Sequence, residues 1–287
     1  MRPAFVVEII TPKGVILNGL WFGPKKPKRV IVWIHGLASS AFSMSHVVSE
    51  LTSKDTAVLT FNNRGFETIT DVKKMAGTKT KRLLTGTAHE VFTDSPDDVA
   101  GAINFVRKSG VKNVYLGGHS TGCQKSIYYA YKTKARGVKG IILLAPISDY
   151  AAEVHLHGKE KIARAMSAAH ALISRGKKHS LLPEGLWHQT LDAQRFVSLC
   201  SLSSAEELFP YAQPNKRPRE LKGVRIPILV VLAENDEYSD RNVIELAEWF
   251  DKNISSKHTV VVVPTVGHSF RGGEKIVAKA IHDFVVR

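Results

Sequence analysis

The chain lacks the features of a secreted, membrane-spanning or repetitive protein. Its 287 residues include two cysteines, Cys123 and Cys200, too few for a disulfide framework. A reducing cytoplasm is therefore the expected compartment. No apolar run approaches the roughly 20 residues of a membrane span. Met1 to Thr11 alternates like a strand and has no long apolar core of the signal-peptide kind. There is no internal repeat and no low-complexity tract. Acids are scarce beside bases, 26 Asp and Glu against 40 Lys and Arg, for a formal net charge of +14. The cations sit in small clusters around 25–29, 79–82, 175–178 and 216–225, with no nucleic-acid-binding module among them, so nucleic acid is not an expected partner. Two readings of the charge stay open: solubility, or attraction of an anionic substrate to a basic lid.

What is present is ordinary globular composition, 44% hydrophobic and 23% charged, over a length that suits one large α/β domain with or without an insertion. Strand-like runs at 5–10 and 15–21 flank Pro12-Lys13-Gly14 and predict an antiparallel hairpin. Val30 to Ile34 is continuously apolar, as in a parallel strand buried on both faces. Helix signals at 42–51, 96–107 and 121–131 then alternate with strand signals at 57–61, 113–117 and 140–145. Ser95-Pro96-Asp97-Asp98 predicts a helix start with serine as cap. From 149 to 224 the alternation stops, and the chain is helix-like and basic. A strand at 226–233, a helix at 242–250, a strand at 259–263 and a helix at 274–286 follow. This predicts an eight-stranded, mostly parallel sheet with helices on both faces. Residues 1–148 and 225–287 form the core and 149–224 an inserted helical cap. The connection 64–94 is too long for an ordinary loop and is expected to border the active site.

Chemistry concentrates at Gly118-His119-Ser120-Thr121-Gly122, a Gly-x-Ser-x-Gly motif between a buried strand and a helix. Small residues two before and two after let the backbones approach while the serine occupies a strained turn. The helix start aims free N–H groups at developing negative charge, with Thr121 as one donor. Serine needs a base. Of the twelve histidines, only His268 lies in the loop after the last strand, beside Gly267. Asp236, about three residues past the preceding strand, is the expected carboxylate partner, with Glu234, Glu237, Asp240 and Asp149 as alternatives.

Strand order, His35-Gly36, Asn62-x-Arg64-Gly65, the serine turn, the Asp236 loop and Gly267-His268 together resemble the α/β-hydrolase superfamily over the whole chain outside the cap. The resemblance implies Leu37 as the second oxyanion donor. It is closest to cap-bearing esterase, lactonase and monoacylglycerol-lipase-like groups, and a long basic cap is also similar to that of fungal siderophore-esterase-like hydrolases. It implies hydrolysis of a small-molecule ester or lactone without a cofactor. Amide hydrolysis, or a non-catalytic ligand receptor on the same fold, is the alternative. His35, Arg64 and His119 are candidate substrate contacts, although the preferred reading of His35 and Arg64 is that they tie down their own loops. His155-Leu156-His157 has metal-like spacing, but no Cys, Asp or Glu cluster accompanies it in sequence, so no metal site is expected.

Overall fold

A computed structural model describes residues 3–286. Met1, Arg2 and Arg287, which the expected core segments 1–148 and 225–287 include, lie outside the described residues. The chain opens with β1 (Ala4–Ile10) and β2 (Val15–Phe22), paired antiparallel around the 12–14 turn. β3 (Arg29–Ile34), α1 (Ser45–Leu51) and β4 (Thr56–Phe61) follow. A hairpin of β5 (Thr70–Ala76) and β6 (Lys79–Thr85) precedes α2 (Ser95–Lys108), β7 (Asn113–His119), α3 (Thr121–Thr133) and β8 (Gly140–Leu144). Then come α4 (Asp149–His157), α5 (Lys159–Ser174), α6 (Ala193–Cys200) and α7 (Arg219–Gly223). The last elements are β9 (Ile228–Ala233), α8 (Val243–Asn253), β10 (His258–Val263) and α9 (Glu274–Val286).

The sheet runs β10-β9-β8-β7-β3-β4-β2-β5-β6, with β1 beside β2. The six strands from β10 to β4 are parallel, and the other four are antiparallel to their neighbours. The expected eight strands are all there. The sheet has ten because the 64–94 connection contains the β5–β6 hairpin. Most hairpin residues are exposed, Val72 and Thr85 being the buried ones, so no apolar alternation marks it in the sequence. Helices α2, α3 and α8 cover one face and α1 and α9 the other. The acids of α2 do not have a capping serine before them. Ser95 is inside the first turn and its buried hydroxyl has no hydrogen-bond partner.

Between β8 and β9, α5 and α6 build an apolar cluster of their own from Ile162, Ala165, Trp187, Leu191, Phe196 and Leu199. From Leu208 onward the chain rejoins the main core through Phe209, Leu221 and Val224. Both cysteines are free and buried. Among the described residues no helix is long and apolar enough to cross a membrane.

Candidate active site

Ser120 sits between β7 and α3 at φ 54° and ψ −127°. A residue with a side chain avoids such a backbone, at a cost on the order of 1–3 kcal/mol. The flanking glycines explain how the turn closes. A Cβ on Gly118 would lie 2.3 Å from the Gly122 carbonyl oxygen, and one on Gly122 would lie 2.2 Å from the Ile34 carbonyl oxygen. Strand, turn, helix and the neighbouring β3 therefore meet backbone to backbone. Ser120 lines a cavity of about 370 Å³ together with Gly36, Leu37, His119, Thr121, Tyr238 and His268. Thr121 opens α3, where the first backbone N–H groups have no helical acceptor.

His268 follows β10 and reaches Asp236 beyond β9, with Nδ1 2.8 and 3.0 Å from the two carboxylate oxygens. An ionised carboxylate only accepts, so the proton belongs on Nδ1 and the lone pair on Nε2. Glu237 holds the same loop by accepting from the His268 backbone N–H at 2.8 Å. Two rings flank the imidazole, Tyr238 at 4.6 Å and His119 at 4.8 Å between centroids. His119 Nε2 lies 3.0 Å from the His268 carbonyl oxygen. A carbonyl cannot donate, so His119 carries its proton on Nε2. Burial, with His268 beside it, pushes the His119 pKa down to about 3, and the ring is neutral.

The alternative acids are engaged elsewhere. Glu234 accepts from the Thr265 N–H, Asp240 pairs with Arg241, and Asp149 accepts from the Gln124 side chain at 2.8 Å. Asp149 does line the cavity. Burial and the nearby Glu206 raise its pKa well above the usual range, against the opposing pull of Arg195.

Two expected substrate contacts are displaced from the cavity. Arg64 does not line it. Its guanidinium is held by Asp98 at 2.8 Å, Asp97 at 3.0 Å and Asp94 at 3.2 Å, which fixes the loop after β4 to the start of α2. His35 is buried outside the lining, its Nδ1 2.9 Å from the Gly36 carbonyl oxygen, and burial lowers its pKa to about 4. His119 and Leu37 do line the cavity. The lining includes Asp149 and Glu153 and no Lys or Arg. Arg164, Arg175, Lys177, Lys178, Arg217 and Arg225 are exposed. Lys161 of the same basic stretch lies close enough to act on the lining residues Glu153 and His188.

Two groupings have no local signature in the sequence. Behind the serine turn, Lys125 of α3 pairs with Glu90 at 2.5 Å; Glu90 meets Arg195 of α6 at 3.2 Å, and Arg195 pairs with Glu206. All four are buried. On the cavity wall, Glu153 and His157 of α4 meet His188 from the α5–α6 connection. Burial pushes Glu153 up to about 7. It pushes His188 down to about 4, helped by His157 and Lys161.

A family model described as "Protein of unknown function (DUF1749)" matches residues 88–283, a stretch that holds Ser120, Asp236 and His268. The chain belongs to this family. A Mycoplasma pneumoniae protein named "Putative esterase/lipase 3" is 25% identical over 281 residues, 93% of this chain and 91% of the relative. Among solved structures, the siderophore hydrolase EstB from Aspergillus fumigatus superposes with a TM-score of 0.73 at 14% identity, over 100% of this chain and 97% of that one. Est1E from Butyrivibrio proteoclasticus superposes with a TM-score of 0.62 at 17% identity, over 98% and 97%. The DUF1749 chain thus has the α/β-hydrolase fold, with a mixed ten-stranded sheet.

Proposed function

We propose that the chain is a serine hydrolase that cleaves carboxylic esters or lactones through an acyl-enzyme. The observation that carries the reading is the His268–Asp236 pair, which leaves Nε2 free on a ring that lines the same cavity as Ser120. His268 takes the Ser120 proton as the serine oxygen attacks the carbonyl carbon. The backbone N–H groups of Leu37 and Thr121 receive the oxyanion. His268 then protonates the departing alcohol, and water repeats the sequence on the acyl-serine. Asp236 holds the tautomer and offsets the imidazolium charge, while His119 and Tyr238 keep the ring in place. No step draws on a cofactor. We read 149–224 as the cap: α4 supplies cavity wall through Ala152, Glu153, Leu156 and His157, and the segment from Leu208 anchors the cap to the core. The names borne by the similar proteins, esterase/lipase and siderophore hydrolase, support ester chemistry.

Ser120→Ala tests this. Turnover of short p-nitrophenyl esters should fall by about 10⁴ to 10⁶ while the fold is kept. A fluorophosphonate should add once to the wild type, on Ser120, and not to the variant. Wild-type-like turnover in folded Ser120→Ala, or no turnover and no adduct in the wild type, overturns the proposal.

A further inference from the structure

We infer that Glu153, His157 and His188 form a binding site for one divalent transition-metal ion in the wall of the cavity that holds Ser120. Glu153 and His157 are four residues apart on α4 and share a face. His188 comes from the connection between α5 and α6. Glu153 Oε2 is 3.5 Å from His157 Nε2 and 3.9 Å from His188 Nε2, and one ligand atom from each residue lies within 4.8 Å of the others. A tetrahedral ion with bonds of about 2.0–2.1 Å sets its ligands roughly 3.4 Å apart. Side-chain rotations that draw these atoms together complete the site.

The existing contacts do not satisfy these groups. The distances exceed the 2.7–3.2 Å range of N–H···O hydrogen bonds. Glu153 is only 7% exposed, and its Oε2 is buried without a hydrogen-bond partner. The neighbouring Gln189 Oε1 is in the same condition, and both residues line the cavity. A buried carboxylate oxygen with no donor is costly, and a cation between it and two imidazoles removes that cost. Trp187 packs on both rings, 5.4 Å from His157 and 4.9 Å from His188, and limits their movement. Two nitrogens and one oxygen suit Zn²⁺, Ni²⁺ or Cu²⁺ rather than Mg²⁺ or Ca²⁺. Three protein ligands leave a coordination position for a donor from the cavity. Lys161, its ammonium 5.6 Å from the Trp187 ring centre, is a nearby opposing charge.

The test is metal binding, which is separate from hydrolysis and must survive in Ser120→Ala. Metal-free full chain is titrated with Zn²⁺ against a chromophoric chelator, and with Co²⁺ by its visible absorption. One equivalent should bind. Glu153→Gln and His188→Ala should each weaken it by about 100-fold or more, since groups merely supporting a ligand already give roughly 10–100-fold. His155→Ala, on the same helix but exposed, should bind as wild type. Glu153→Gln is nearly isosteric and His188 is an exposed residue, so both variants should fold, as checked by Tm. No stoichiometric binding by the wild type, unchanged binding by folded Glu153→Gln and His188→Ala, or equal loss in His155→Ala overturns the site.

Discussion

Replacing Glu90 by Gln should test how α3, which carries the serine turn at its start, is fastened to α6. Glu90 is 4% exposed, and its partners Lys125 and Arg195 are 1% and 0% exposed. Burial pushes the Glu90 carboxyl up, but Lys125 and Arg195 outweigh it and hold the group below the usual glutamate range. Glutamine keeps the shape and removes the charge. Arg195 still has Glu206, whereas Lys125 loses its counter-charge and keeps neutral acceptors, among them the Asn63 side-chain oxygen 3.1 Å away. Breaking a buried pair so that one charge is stranded costs about 3–5 kcal/mol. A domain of this size loses roughly 2 °C per kcal/mol, so Tm at pH 7 should drop by about 6–10 °C. Adding Lys125→Met should recover most of the loss, because neither charge then remains buried alone. The wild-type advantage has a defined pH sense. A depressed folded pKa stabilises at neutral pH, and the contribution fades as pH falls below about 4.3 toward the folded value. Differential scanning calorimetry of the two single variants and the double variant measures all of this. A drop below about 2 °C for Glu90→Gln, or a double variant that loses the sum of the singles, refutes the reasoning.

Asp236→Asn should lower kcat on esters by about 10⁴-fold, and Glu237→Gln far less, because Glu237 only accepts a backbone N–H that an amide oxygen also accepts; equal losses would contradict the assignment. Burial holds Glu207 at about 7, against a lowering bond from Ser148. The folded state therefore binds the extra proton, and stability declines as pH rises from about 4.3 toward 7. Glu207→Gln should accordingly raise Tm relative to wild type more at pH 8 than at pH 5, and a pH-independent difference rules this out. Gly122→Ala places a methyl 2.2 Å from the Ile34 carbonyl oxygen and should abolish soluble, active protein. Recovery of a folded, fully active Gly122→Ala would mean that β3 and α3 do not meet so closely.

The residues that were legible in sequence carry their constraint locally. Gly118 and Gly122 are dictated by backbone contacts on either side of Ser120, and His268 by its place after the last strand. Asp236 is preferred over Glu234, Glu237 and Asp240 in the same short loop by its distance past the strand alone, and what each of the four meets is visible only in the structure. Glu90 stood in the sequence beside His89 with no visible partner, because Lys125 and Arg195 are 35 and 105 positions away. His188 was hidden from Glu153 and His157 for the same reason, lying 35 and 31 positions away. The two-histidine spacing drew attention to His155 and His157 together, but the helix turns only His157 toward Glu153 and leaves His155 exposed. The β5–β6 hairpin had one readable cue, its Gly77-Thr78 turn with Gly77 at φ 63°, but its strands have little buried face to produce a pattern.

That hairpin ends the sheet. β6 pairs with β5 on one side and closes the strand order. An unpaired strand edge is a template on which another chain can add itself. Here the edge displays exposed Lys79 and Lys81, with exposed Lys73 on the strand behind. A second copy arriving edge to edge would bring a second set of these cations close to the first, and like charges crowded across a sheet repel. Part of the +14 charge therefore sits where the sheet stops, and there it opposes the edge-to-edge addition of a second copy.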